Sequence, residues 1–203
     1  MTTRTLTPPT DPAPPVRQFT PALILRNAVL VCLAVSLAAQ IAMPVSETST
    51  PFTLQTLAVL LAGPLAGARA GTAGLVLYLL AGGLGLPVFA DGRGGLDALT
   101  GNTAGFLWSF LLLPTPLAHL ARRIDGSWSG LWFAWFLGAH LLILLLGFGW
   151  LAVAGSVQLS PFGWAVFLPG AVLKSMLGVL VLRFTPTHVT RSASRPASPD
   201  RAR

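Results

Sequence analysis

The sequence predicts an all-α membrane protein with six transmembrane helices and both termini cytoplasmic. Three observations carry this. The 203-residue chain is 53% hydrophobic and only 9% charged. A soluble domain averages about 25% charged residues, so this chain lacks the charge to cover a water-facing surface. Six apolar stretches follow one another between turn-forming residues, each close to the ~20 residues that a spanning helix needs. The arginines sort to alternate connections, as the positive-inside rule demands.

Residues 1–20 are rich in Pro and Thr and lack the short apolar core of a signal peptide, so they read as a disordered cytoplasmic tail. A six-helix membrane domain fills 21–184. Its stretches are Pro21–Met43, Phe52–Ala68, Ala70–Pro87, Thr103–Ala121, Gly130–Ala154 and Pro161–Phe184. In the first, Ala34, Ala38 and Ala42 recur every four residues. Small residues at that spacing let another helix approach closely. Cys32, the single cysteine, reads as helix packing and offers no disulfide framework or metal cluster. The second and third stretches are short and glycine-rich, which favours tilt or a shifted depth. Turn chemistry separates the stretches at Pro44–Pro51, Gly67-Ala68-Arg69, Asp91–Gly95, Asp125-Gly126 and Ser160-Pro161. Residues 185–203 read as a disordered basic cytoplasmic tail whose arginines suit topology and anionic lipid.

With the N-terminus inside, the cytoplasmic side receives Arg17, Arg26, Arg69, Arg122, Arg123, Arg183 and the tail arginines. The outer side receives only Arg93, beside Glu47, Asp91 and Asp97. An odd number of spans destroys this asymmetry. The formal net charge of +7 is therefore topological. It forms no basic face with interleaved aromatics, which argues against nucleic acid.

Lys174 is the only lysine, and residues 126–173 before it hold no Asp, Glu, Lys or Arg. An ammonium inside a membrane helix is costly and normally faces a protein interior or polar cavity. It lies about 13 residues into the sixth stretch, near mid-membrane at ~1.5 Å per residue. On the outer side the sequence also offers Thr53, Gln55, Tyr78, Arg93 and Asn102. Apolar walls with a few aimed polar groups describe a pocket for a small anion. Lys174 and Arg93 suit its carboxylate, and Gln55, Asn102 and Tyr78 its neutral hydrogen bonds. Gln55 and Asn102 equally suit helix starts. Asp91 and Asp97 read as solvated loop residues, His119 as interfacial and His140 as an interhelical hydrogen-bonding group. The six tryptophans fall mostly near span ends, where an aromatic belt places them; of these, Trp108 and Trp164 are the pair within reach of a ligand.

Catalytic signatures are missing. The sequence has no HExxH, no GxSxG, no P-loop and no paired intramembrane aspartates. No enzyme activity, metal or cofactor is expected, and energy from ATP has to come from another chain.

The runs IAMPVSETSTPFTLQTLAVLLAGPLAGARAG and LYLLAGGLGLPVFADGRGGLDALTGNTAGFLW, with FLPGAVLK in the last stretch, resemble the BioY family. These are the biotin-specific substrate-binding (S) components of energy-coupling factor (ECF) transporters. The resemblance covers about the first five stretches and resumes in the sixth. It implies the S-component fold in a prokaryotic plasma membrane, capture of biotin from outside, and partnership with a transmembrane coupling (T) protein and an ATPase pair. Ala34 and Ala38 then form the face that docks the coupling protein, and Lys174 holds the biotin carboxylate with help from Arg93 at the mouth.

Two departures stand out. The family usually places an aspartate three residues before the lysine, in a PGDLLK-like run; this chain reads Pro169-Gly170-Ala171-Val172-Leu173-Lys174. The family also tends to GPT where this chain has Gly101-Asn102-Thr103. Asn102 is the candidate to restore lost polarity. Three other readings remain: an S component for another small carboxylate vitamin such as lipoate, a small intramembrane enzyme using Lys174 or His140 as base, and a structural membrane protein.

Overall fold

Pro21 starts the first helix where its missing N–H costs nothing, and α1 runs Pro21–Gln40. Hydrophobic on every side, it divides its faces by packing rather than polarity. Asn27, Ala28, Val31, Val35 and Ala39 are buried, while Leu25, Leu30, Leu33 and Leu37 are exposed. The structure is a computed structural model that describes residues 20–43, 51–124, 129–154 and 163–185. Apart from Thr20 and Thr185, both tails lie outside the described residues.

A two-residue ladder follows α1. Strand β1 (Ala42–Met43) pairs antiparallel with β2 (Phe52–Thr53). The sequence suggested helix from Phe52; instead Phe52 and Thr53 are extended, and helix α2 spans Gln55–Ala66. A bulky aromatic and a β-branched residue behind Pro51 favour that conformation. The left-handed φ of 85° at Gly67 then turns α2 into α3 (Ala68–Gly83) within one residue, which a Cβ would oppose.

The loop after α3 contains a 3₁₀ turn at Ala90–Gly92 and a short helix α4 (Leu96–Thr100). The fourth apolar stretch is three helical pieces rather than one: α5 (Ala104–Ser109), a 3₁₀ turn (Phe110–Leu112) and α6 (Pro114–Ala121). Pro114 has no N–H to donate into the preceding turn, so the helical ladder breaks there. Helix α7 runs Ser129–Ala154, and α8 runs Leu168–Phe184 behind a 3₁₀ turn at Ala165–Phe167.

Among the described residues four helical segments are long and apolar enough to cross a membrane: Pro21–Gln40, Ala104–Ala121, Ser129–Ala154 and Ala165–Phe184. The chain is thus a helical membrane protein, with α2 and α3 as shorter helices. α1 packs on α2 and α3, α2 on α6 and α8, α5 on α7, and α7 on α8. The α1–α3 approach is close: a Cβ on Gly74 would lie 2.6 Å from Val31 Cβ and 2.7 Å from Ala28 O. Tyr78, Phe136, Leu60, Leu75 and Ile143 fill the centre.

Candidate functional site

One cavity gathers most of the polar groups marked by the sequence. Its wall draws Phe52, Thr53, Gln55 and Thr56 from β2 and α2, Phe89 and Arg93 from the loop, and Thr103, Phe106 and Phe110 from the α5 region. His140 of α7, Phe167, and Ala171 and Lys174 of α8 complete it. The floor is apolar, with two cationic groups at different depths.

Lys174 is 6% exposed. Its Nζ donates to Thr53 O at 3.1 Å and to Thr56 Oγ1 at 2.8 Å. It also lies 4.3 Å from the Phe52 ring centroid, where the aromatic face attracts a desolvated cation. Each of these partners is neutral. The ammonium is held, yet no carboxylate cancels its charge among the described residues. The extended conformation at Phe52–Thr53 makes this possible, because it turns a ring and a backbone carbonyl toward α8. Gly170 permits the approach, since a Cβ there would collide with the Phe52 ring. Ala171, one turn before Lys174, is buried on the same wall.

Arg93 stands at the exposed rim, and its Nε donates to Ala90 O at 3.4 Å. Its position is set by the loop closure in which Phe89 N donates to Arg93 O at 3.0 Å. Asp91 and Asp97 are both exposed, but Asp97 lies in the first turn of α4 rather than in a loop. Gln55 is 4% exposed, and its Nε2 donates to the Tyr78 hydroxyl at 2.6 Å. Gln55 thus lines the cavity directly. Tyr78 stands behind it, fully buried, edge-on to Phe89 with ring centroids 5.2 Å apart. Asn102 lies in the turn between α4 and α5, next to Thr103, which does line the wall.

The two candidate tryptophans are placed elsewhere. Trp108 is 49% and Trp164 47% exposed, and neither lines the cavity. Trp108 Nε1 donates to Leu99 O at 3.0 Å, and Trp150 Nε1 to Gly101 O at 3.0 Å. Both therefore brace the segment that presents Thr103. His140 makes the interhelical contact read from the sequence, with Nδ1 3.1 Å from Ser175 Oγ of α8. His119 Nδ1 lies 2.7 Å from Thr115 O.

Sequence reasoning missed Thr56, Phe52 and Ser175. Thr56 closes the TLQT run, one residue after Gln55, and its polarity in an apolar helix was a usable signal. Phe52 was counted inside a span, and Ser175 was hidden because serine is common in helices.

Comparison with known proteins agrees with this architecture. The BioY family model matches residues 15–191. A biotin transporter BioY from Rhizobium etli is 34% identical over 142 residues, covering 66% of this chain and 76% of the relative. A probable biotin transporter BioY from Pyrococcus horikoshii is 33% identical over 150 residues, covering 72% of this chain and 85% of the relative. The crystal structure of the S component for biotin from an ECF-type ABC transporter superposes with a TM-score of 0.73 at 21% identity, covering 90% of this chain and 96% of the other. Its fold is shared by this molecule. With a family match across most of the sequence and relatives of like length, the chain belongs to the BioY family.

Proposed function

We propose that this chain is the biotin-binding S component of an ECF transporter. It captures biotin outside the cell and delivers it inward with an ATP-driven module. The observation that carries the reading is the buried ammonium of Lys174, facing a mostly apolar cavity and held only by neutral groups. An uncompensated cation in such a place favours a ligand that brings a carboxylate. In this reading Lys174 binds the valerate carboxylate from within and Arg93 assists at the rim. Thr53, Gln55 and Asn102 supply neutral contacts, with Tyr78 acting through Gln55.

The same reading gives six membrane-spanning helices in the plasma membrane and both termini on the cytoplasmic side. The arginine distribution supports that orientation. The partners are a transmembrane coupling protein and an ATPase pair. Ala34 is exposed and Ala38 half-buried on α1, and in this reading these two small residues are where the coupling protein docks. The role is transport rather than catalysis.

The test is direct binding of biotin and lipoate to the purified protein, wild type against Lys174→Ala. Biotin should bind the wild type in preference to lipoate. The variant should lose at least about tenfold in affinity, or 1.4 kcal/mol. Unchanged affinity in Lys174→Ala removes the anchoring role, and preference for lipoate changes the cargo. Asn102→Ala should weaken biotin binding by a smaller factor, and normal binding by that variant would remove Asn102 from the site.

A further inference from the structure

His140 Nε2 is the one buried side-chain polar atom without a hydrogen-bond partner among the described residues. The residue is 3% exposed and lines the same cavity as Lys174. Its tautomer follows from the neighbours. Nδ1 lies 3.0 Å from Phe136 O and 3.1 Å from Ser175 Oγ. The carbonyl can only accept. Ser175 donates its own proton to Ala171 O at 2.8 Å, so it accepts on the side facing His140. Nδ1 therefore carries the ring proton. A further proton on Nε2 would create a buried imidazolium with an unpartnered donor, on a wall that already holds the Lys174 ammonium. The arrangement favours a neutral ring with a bare Nε2, an acceptor to which nothing donates.

The charged groups on the wall, Lys174 and Arg93, are donors. A ligand bearing only acceptors satisfies them and leaves Nε2 orphaned. Ala171 sharpens the point. It lines the cavity one turn before Ser175 and offers only a methyl group. Its backbone carbonyl is occupied by Ser175. The acceptor duty on this part of the wall falls to α7.

We propose that His140 Nε2 is a ligand-recognition atom. It accepts a hydrogen bond from an N–H of the bound molecule, and so selects carboxylates bearing an amide or ureido N–H over those without one. Ser175 and Phe136 O are its positioning partners. The inference rests on the biotin-binding reading, since the ureido ring of biotin carries such donors.

The test compares biotin with its two cyclic carbamate analogues, in each of which one ureido N–H is replaced by oxygen. Binding is measured on wild type and on His140→Phe, which keeps a ring and removes the acceptor. One analogue should bind wild type about tenfold more weakly than biotin. In His140→Phe biotin should fall to the level of that analogue. An equal biotin-to-carbamate ratio in both proteins overturns the role of His140 while biotin binding stands. Failure of the wild type to bind biotin overturns the underlying reading instead. A measurement on the wild type covers the case in which His140→Phe does not fold. With ¹⁵N-labelled histidine, the His140 Nε2 resonance should show a bare acceptor without ligand and move upfield with biotin but not with that carbamate. A resonance unmoved by biotin refutes the proposal.

Discussion

Thr56 Oγ1 of α2 lies 2.8 Å from Lys174 Nζ of α8, so the deepest charge in the cavity is tied to a helix distant in sequence. Burying an ammonium costs several kcal/mol even when it is paired, and a well-packed apolar replacement is often neutral or stabilising. Lys174→Met should therefore match or exceed wild type in thermal stability without ligand while losing biotin binding by at least about tenfold. Melting in detergent and equilibrium binding read the two effects separately. A variant that is both less stable and still binding contradicts the assignment.

Removing a partner differs from removing the charge. Thr56→Val leaves the ammonium buried with one acceptor fewer, a loss of about 1–3 kcal/mol. The expected result is a lower melting temperature than Lys174→Met. In the double variant Thr56→Val/Lys174→Met, the Thr56 penalty should vanish, because its cause is gone. Additive losses would place the Thr56 effect in packing instead.

Tyr78→Phe keeps the edge-on contact with Phe89 and removes the oxygen that receives Gln55 Nε2. The amide of Gln55 is then buried without its partner, which costs about 1–3 kcal/mol. Both stability and biotin affinity should fall, since Gln55 loses its fixed orientation on the wall. Gln55→Leu tests the pathway: Tyr78→Phe added to Gln55→Leu should change biotin affinity little.

Gly74 sets the distance between α1 and α3. Gly74→Leu forces side-chain atoms into Val31 and Ala28, and overpacking of this kind typically costs about 1–3 kcal/mol or more. The melting temperature should drop markedly. Val31→Ala in the same chain should restore part of it, and no restoration would separate the effect from that contact.

The exposed side of α1 behaves differently. Ala34→Trp, at an exposed position, should leave biotin binding by the isolated chain unchanged and abolish co-purification with the coupling protein. Retained co-purification would move the docking face away from Ala34 and Ala38.

Much of the fold was legible because apolar length and arginine placement are properties of composition along the chain. Two of the places where reading and structure diverge have identifiable causes. Phe52–Thr53 is apolar enough to join a span, yet its conformation is set by pairing with Ala42–Met43, a partner beyond any local window. The break at Phe110–Leu112 is marked by Pro114 but looks like ordinary span sequence. In the site, Lys174 was legible because a lone charge in a long uncharged run needs a reason. Its acceptors were not: one is the backbone oxygen of Thr53, which no residue type announces. Ser175 was equally silent, because only the packing of α7 on α8 turns it toward His140.

The shortness of α2 has a consequence for energetics. Its 12 residues extend only about 18 Å, against roughly 30 Å of hydrocarbon. A crossing made by so short a helix needs a locally thinned bilayer or flanking residues that complete it. Gln55 and Thr56 open α2 and line the same recess as Lys174. In the proposed reading an approaching anion trades bulk solvent for protein dipoles early in its path, before the full dielectric penalty of a bilayer has accumulated.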